Sequence, residues 1–591
     1  MPFPKAGALP THRRLMTLVL VVLATLSLVL PVGTVAAARP TTVDVQLLAI
    51  NDFHGNLEPP SGSSGRVGSA ADDAACIASP TCDLAGGVAY LADDIKALEA
   101  TNPNTLVVSA GDNIGASPLL SAAFHDEPTI EALNELGLDV SAVGNHEFDE
   151  GVTELLRMQN GGCHPTDGCQ TGHQFAGADF QFLAANVVYK KNNRSILPAS
   201  TIERVAGVKI GFIGLTLEGT PLIVSANGIQ DVKFLDEATT INKAARDLRD
   251  RGVKTIVVLI HEGGAQSAGL SPSTINTCTN MAGAITGIVG NLAPTIDMVV
   301  SGHTHNAYNC QLPNRNGELI PVSSASSFGR LVTDIDMTIS TKTGNPTSIS
   351  VNNQIVFRDV ADAAEQALID GYKTLVAPIA NRVVGQITAN ITRAADAEGE
   401  SALGDVIADA QLAYTQSAGA QLAFMNPGGI RTDLTYLSSP VGEGDGNVTF
   451  GEAFAVQPFN NLVVTQDMTG QQIKDVLEQQ WAACTPAGRS GGATVILQVS
   501  ATFTYSYSDT AACGSRISNM MLNGSPIDLG TTYKVTANNF LADGGDSFPA
   551  FAVGTNRVFA PLFDVDALAA YLGGPASPVA PGPQNRITKL P

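Results

Sequence analysis

Five short segments of the chain concentrate residue types that bind metal ions. They are Asn51-Asp52-Phe53-His54, Gly111-Asp112-Asn113, Gly144-Asn145-His146-Glu147-Phe148-Asp149, His261-Glu262-Gly263-Gly264 and Ser301-Gly302-His303-Thr304-His305. Five of the nine histidines fall within them: His54, His146, His261, His303 and His305. Imidazole nitrogen mixed with carboxylate and amide oxygen suits Zn, Mn, Fe or Co, and the mixture does not choose among them. One histidine or one Gly-Asn after a strand is ordinarily a satisfied side chain or a turn. Five such coincidences in the same structural position point to a shared site. Asp52 and His54 are two residues apart, as are His303 and His305; in extended chain each pair faces one way and can grip one ion. Gly55, Gly111, Gly144, Gly263 and Gly302 stand beside these residues and permit the sharp exits a crowded site needs.

Each segment follows a short run rich in Val, Ile and Leu: residues 43–50, 105–109, 140–143, 255–260 and 297–300. Similar runs occupy 180–187, 208–215 and 331–337. Several lack clean alternation, the pattern of strands buried on both faces. Helical spacing at 88–98, 130–136 and 241–251 separates some of them, so the fold class expected is α/β, a layered domain over 43–345. In open α/β sheets ligands bind beyond the carboxyl ends of the strands. A helix is expected at 361–379, ending near Pro378, within a linker or hinge at 359–382. A second, α+β unit then spans 383–588, with helices at 402–413 and 471–480 and strands at 493–499, 502–507 and 533–537. Residues 61–69 and 573–584 read as mobile loop and tail.

Composition narrows the function. Among 591 residues, Asp+Glu outnumber Lys+Arg 55 to 33, for a formal charge of -22, which argues against a nucleic-acid polymer or an anionic membrane as partner. A small anionic substrate remains open if the site supplies positive charge. Arg13 and Arg14 precede the uncharged apolar run 15–30, followed by Ala36-Ala37-Ala38, the pattern of a secretory signal peptide over 1–38. The expected product is secreted, extracellular or held in a cell envelope, bacterial in its Ala- and Gly-rich composition, with no membrane span after cleavage. Eight cysteines agree with export and lie in neighbouring pairs, 76 with 82, 163 with 169, 278 with 310 and 484 with 513. Proximity suggests that pairing among the 105 possible. No C-x-x-C occurs to favour a zinc-thiolate site.

The five segments resemble the calcineurin-like metallophosphatase family, whose pattern runs D-x-H, GD, GNH-E, H, GH-x-H. The variant Gly144-Asn145-His146-Glu147-Phe148-Asp149, with the later Asn426-Pro427-Gly428-Gly429-Ile430-Arg431, resembles the secreted 5′-nucleotidases of the ecto-5′-nucleotidase and UDP-sugar hydrolase type. The resemblance implies two divalent ions (Zn, Mn, Co or Fe). One would take Asp52, His54 and His305, the other Asn145, His261 and His303, with Asp112 bridging. Two such ions polarise a phosphoryl group and activate water for in-line attack. His146 would stabilise the transition state or protonate the leaving oxygen, with Asp149 orienting it.

The resemblance also implies that the second unit binds the nucleotide. Asn426 and Arg431 would contact substrate, Phe459 and Phe540 would clamp the base, and Asp546 would bond the ribose. Arg393 is the partner arginine, its spacing disturbed by the insertion 394–400. Phe at both clamp positions resembles the 5′-nucleotidases more than the cyclic phosphodiesterases, where tyrosines are usual. The expected activity is removal of the 5′-phosphate from nucleotides, with UDP-sugars as further candidate substrates. The alternatives are a 2′,3′-cyclic phosphodiesterase/3′-nucleotidase and a nucleotide-binding surface protein without turnover. The oligomeric state is not legible.

Overall fold

The computed structural model describes residues 40–591 apart from 61, 71–72, 225–227, 440, 460 and 487–493. The expected signal peptide therefore lies outside the described residues.

Strand Thr42–Ile50 explains the layering of the first half. Val45, Leu47 and Ala49 face one side, Leu48 and Ile50 the other, and all five are buried. A strand alternates sides with period two, so burial of both sets requires a packed layer on each face. On one side lies a second sheet, which contributes Ile210, Phe212, Val257, Leu259 and Val300. On the other lie helices such as Val88–Glu99, which contributes Val88, Leu91 and Ile95. The second sheet is covered in turn by helix Glu237–Asp250 through Ile241, Ala245 and Leu248. Asp236 caps that helix by accepting from Thr239 N. The result is helix, sheet, sheet, helix.

The first sheet runs Pro346–Ile355, Leu331–Ser340, Thr42–Ile50, Thr105–Ser109, Val140–Ala142, Gln181–Leu183, and the last four are parallel. The second runs Ala307–Pro313, Leu319–Ala325, Met298–Ser301, Thr255–His261, Val208–Thr216, Ser200–Val205, with the middle four parallel.

Helix Ala363–Ala380 follows, its N-terminus capped by Asp362 through Ala364 N and Glu365 N. It ends one residue past the expected 379; Pro378 removes one donor from the last turn, which Asn381 N still closes by bonding Ala377 O at 3.0 Å. Beyond it lie a five-stranded sheet built around Leu462–Thr469 and Thr532–Asn538 and a four-stranded sheet around Phe503–Tyr507. Residues Thr41–Pro591 form one compact unit.

Three local expectations fail. The run 180–187 is two strands, Gln181–Leu183 and Val187–Tyr189, in different sheets. The break is fixed by Asn186, whose amide donates to Thr216 O and Leu235 O and accepts from Thr216 N. In 493–499 the strand among the described residues is Gln498–Val499 alone. Residues 61–69 and 573–584 are tied down where described: Arg66 is buried and paired with Asp73 at 2.7 Å, and buried Val579 donates its N–H to Gln386 O at 2.7 Å. All four expected disulfides are present, Cys76–Cys82, Cys163–Cys169, Cys278–Cys310 and Cys484–Cys513.

Candidate active site

The carboxyl ends of both sheets deliver the expected ligands to one place, in two groups of donor atoms. Asp52, His54 and His305 form one group, and Asp112, His261 and His303 the other. His54 Nε2 lies 3.1 Å from His305 Nε2, and His305 Nε2 lies 3.4 Å from Asp52 Oδ1. Asp112 Oδ2 is 2.8 Å from His261 Nε2 and 3.8 Å from His54 Nε2, so it faces both groups. Asp52 Oδ1 does so too, at 3.9 Å from His261 Nε2. Proximity therefore does not single out Asp112 as the shared carboxylate.

The backbone reaches this convergence differently from the extended pairing expected. Asp52, His54, Asp112, His303 and His305 have φ of 50°, 50°, 49°, 72° and 55°. Each left-handed non-glycine residue costs ~1–3 kcal/mol and persists only where its surroundings over-determine it. The ligand pairs thus converge through tight left-handed turns. The adjacent glycines make room: a Cβ on Gly144 would lie 2.1 Å from Asp112 Oδ1, and one on Gly302 would lie 2.9 Å from Asp52 Oδ2.

Polar neighbours hold the ligands in place. His54 Nδ1 bonds Gly115 O and His261 Nδ1 bonds Ala110 O, each at 2.9 Å. A nitrogen that donates to a carbonyl leaves the opposite Nε2 lone pair for an ion. Asn51 donates to Asp52 Oδ2 at 2.6 Å and accepts from Ala325 N at 2.7 Å. Burial depresses His54 and His303 to about 3 and pushes His305 well below the usual histidine range, which keeps them in the neutral form that ligates. Burial pushes Asp52 up to about 7. Burial also opposes charge on Asp112 and His261. Their mutual attraction outweighs it, holding Asp112 well below the carboxylate range and His261 up to about 10.

The donor set fits a pair of divalent ions. Buried Asn145 Oδ1 has no hydrogen-bond partner, and His261 Nε2, though close to Asp112, lies outside hydrogen-bond geometry. Orphaned buried donors and acceptors are rare without a missing partner.

Glu147 was quoted in the sequence motif without a role. It is buried and accepts from three backbone N–H groups: Asp112 N at 3.0 Å, Asn113 N at 2.8 Å, and Gly144 N. The clue available in sequence was an acid one residue past His146, inside the Gly144–Asp149 motif. Because both carboxylate oxygens accept, Glu147→Gln would set its NH2 against an N–H in either orientation. We expect divalent-ion affinity to fall ~10–100-fold, measured by competition with a chelator; unchanged affinity would remove Glu147 from the supporting shell.

His146 and Asp149 are joined by His146 Nδ1 to Asp149 Oδ2 at 2.7 Å. Burial lowers the His146 pKa, but Asp149 and Asp112 outweigh it and raise it. The Phe459 ring, from the second half of the chain, stacks on His146 with centroids 5.7 Å apart and planes at 22°. The Arg431 guanidinium lies over the same Phe459 ring, 5.7 Å from its centroid. A cavity of about 320 Å3 is lined by Asn145, His146, Asp149 and His303 together with Asn426, Arg431, Phe459, Phe540 and Asp546. Asn426 Nδ2 donates to Asp546 Oδ2 at 2.8 Å, so these two share a contact. A Cβ on Gly545 would fall 2.5 Å from the Phe540 ring, so a glycine is needed where that ring lies.

Arg393 lies beside Arg431. It lines a neighbouring cavity with Arg431, His305 and Arg330, and its guanidinium donates to Arg431 O at 2.7 Å.

Residues 45–307 match the calcineurin-like phosphoesterase family and residues 383–553 match the 5′-nucleotidase C-terminal domain. The chain is 31% identical to Endonuclease YhcR of Bacillus subtilis (strain 168) over 92% of its own length and 41% of that protein's. It is 33% identical to Cell wall protein Lmo0130 of Listeria monocytogenes over 88% of its own length and 66% of that protein's. It therefore spans less than two thirds of either relative. Its fold overlays a 5′-nucleotidase precursor from Thermus thermophilus with a TM-score of 0.73 at 25% identity, covering 93% of this chain and 99% of that one.

Proposed function

The chain belongs to the calcineurin-like phosphoesterases that carry a 5′-nucleotidase C-terminal domain, and from that premise we propose that it is a secreted or envelope-held hydrolase releasing phosphate from nucleoside 5′-monophosphates. The observation that carries this reading is the single cavity shared by Asn145, His146 and His303 with Phe459, Phe540 and Asp546. One small molecule in this cavity would reach the proposed metal ligands and the proposed base clamp together. No helix among the described residues is long and apolar enough to cross a membrane.

Asp52, His54 and His305, and Asn145, His261 and His303, with Asp112 facing both groups, would hold two divalent ions, which supply Lewis-acid polarisation and water activation to phosphoester cleavage. The remaining work falls to side chains. Asp149 fixes the His146 ring through Nδ1, leaving Nε2 to deliver a proton to the departing ribose oxygen. Phe459 packs over that ring and keeps bulk water from it. Arg431 offers a planar fork of donors to phosphate oxygens. Phe540 takes the base by stacking, which tolerates many bases, Phe459 completes the clamp when its ring leaves His146, and Asp546 with Asn426 receives the ribose hydroxyls. We place the opening of this shared cavity at the 359–382 segment; identical domain angles in solution with and without nucleotide would count against it.

The direct test incubates purified protein and divalent metal with AMP, 3′-AMP, 2′,3′-cyclic AMP, UDP-glucose and single-stranded DNA, and follows both free phosphate and, by chromatography, the nucleotide, sugar-phosphate and oligonucleotide products. AMP should be the best substrate. Rapid cleavage of the cyclic ester without AMP hydrolysis would move the assignment to the cyclic phosphodiesterases, and cleavage of DNA alone would move it to a nuclease. Phe540→Ala should raise KM for AMP ~5–150-fold, the loss of one stacking contact of ~1–3 kcal/mol. Hydrolysis of a simple aryl phosphate should be nearly unaffected, and an equal loss on both substrates would remove Phe540 from the base site.

A further inference from the structure

The turn that leads into helix Glu127–Leu136 breaks two local rules. His125 and Asp126 both have left-handed backbone, with φ of 52° and 61°. Outside glycine such residues are uncommon, and they persist only where their surroundings over-determine them. Asp126 also occupies the N-cap of the helix, where an aspartate ordinarily turns back to accept from its own first turn. Its side chain makes no such bond. The carboxylate is buried and reaches away from the helix, into the loop that follows Asp112.

There Asp126 Oδ2 accepts from Gly115 N at 3.0 Å, while its Oδ1 accepts from Ser121 Oγ at 2.6 Å. Gly115 in turn accepts at its carbonyl from His54 Nδ1 at 2.9 Å. Gly115 is thus held on both sides, by Asp126 through its N–H and by His54 through its oxygen. Its backbone, at φ 80°, runs against the dyad: a Cβ there would lie 2.7 Å from His146 Cβ and 2.9 Å from Asp149 Oδ2. The left-handed pair is fixed from its other end by His125, whose Nδ1 lies 2.9 Å from Glu150 Oε2 and whose Nε2 lies 2.8 Å from Asp167 Oδ2. The His125 ring also stacks on His164, in the loop closed by Cys163–Cys169, with centroids 3.7 Å apart. Asp126 therefore projects from a rigid turn toward a glycine that has little stiffness of its own.

We propose that Asp126 is a positioning residue for the ligand His54, acting through Gly115; the inference rests on the paired-ion reading above. His54 presents its Nε2 lone pair only while Nδ1 keeps its proton on Gly115 O. That oxygen keeps its place only while Gly115 N–H is held, because glycine turns freely and the next residue, Ala116, is itself left-handed at φ 50°. A carboxylate serving its own turn alone would need no bond to Gly115. That turn is already closed by Asp126 N donating to Ser121 O at 3.1 Å and by the Ser121 hydroxyl on Oδ1. The bond to Gly115 joins the turn to the metal loop, and it accounts for a strained N-cap that leaves its own helix uncapped.

The test compares Zn2+ affinity, by competition with a chelator, in full-length wild type and two variants. Asp126→Gly removes the carboxylate and suits the left-handed backbone. Asp126→Asn also suits it and keeps an oxygen for Gly115 N–H, while its NH2 donates to Ser121. Asp126→Gly should hold one of the two ions ~10-fold more weakly, and Asp126→Asn should stay near wild type. With AMP, kcat of Asp126→Gly should fall at limiting Zn2+ and recover at saturating Zn2+, with KM unchanged. Wild-type affinity in folded Asp126→Gly would overturn the proposal and leave the paired site intact. An Asp126→Asn as weak as Asp126→Gly, or a kcat loss that saturating Zn2+ does not restore, would overturn it too. A wild type that binds no Zn2+ would sink the paired-ion reading and this inference with it. Should Asp126→Gly fail to fold by near-ultraviolet circular dichroism, Ser121→Ala decides, because it frees one carboxylate oxygen and leaves the backbone alone. Weaker Zn2+ binding in that variant supports the role, and unchanged binding overturns it.

Discussion

Asp112→Ala should abolish turnover, with kcat reduced by at least ~10²–10³, the cost of removing one preorganised electrostatic contact. Three features of the residue set this expectation. Its Oδ2 faces both ligand groups, at 2.8 Å from His261 Nε2 and 3.8 Å from His54 Nε2. Its Oδ1 accepts from His146 N at 2.8 Å, so it also positions the catalytic loop. It lies on a left-handed turn, φ 49°, whose own N–H is held by Glu147. Loss of the carboxylate therefore removes a ligand and loosens the His146 segment together. Metal analysis should show fewer ions at the paired site, and the variant should stay folded because the surrounding core is apolar and intact. An Asp112→Ala enzyme with full activity and full metal content would refute the shared-ligand assignment and leave Asp52, whose Oδ1 also faces both groups, as the bridging carboxylate.

The second large effect concerns His146. His146→Ala should lower kcat ~10²–10⁴-fold, the usual contribution of an oriented proton donor, with KM and zinc content little changed. The structure offers a competing role, because one donor atom each from His54, Asp112 and His146 also lies within 4.8 Å. Metal content separates the two: loss of an ion in His146→Ala would make His146 a ligand, and its retention with depressed kcat supports the proton donor. Asp149→Asn should reduce kcat less than His146→Ala, since the ring stays and only its orientation weakens. The double variant should be no worse than His146→Ala alone, because residues that act as one unit are strongly non-additive. Additive losses would separate Asp149 from the dyad.

Much of this site was legible in sequence because its parts are local. A strand buried on both faces reads as an unbroken Val/Ile/Leu run, and the polar residues after Ile50, Ser109, Ala142 and Ile260 mark where the apolar run gives way to polar side chains that stay buried. The neighbouring cysteines paired as their spacing suggested, since short loops close at little entropic cost. Where short-range inference failed, a distant side chain had intervened. Asn186 splits the 180–187 run by bonding Thr216 and Leu235. Glu147 finds its partners in the backbone of residues 112 and 113, and no periodicity reports that.

From the sequence alone came the layered α/β class, the seven candidate metal ligands and a separate second half, with nucleotide binding proposed for it by resemblance. The tertiary structure alone decided how the halves meet: Phe459 over His146, one cavity lined from both halves, Arg393 bonded to the Arg431 carbonyl, and two stacked histidines beside a disulfide loop. The physical reason is range. Backbone geometry and strand burial answer to residues a few positions away, whereas a ring stacked on another from the opposite half of the chain depends on how whole layers dock.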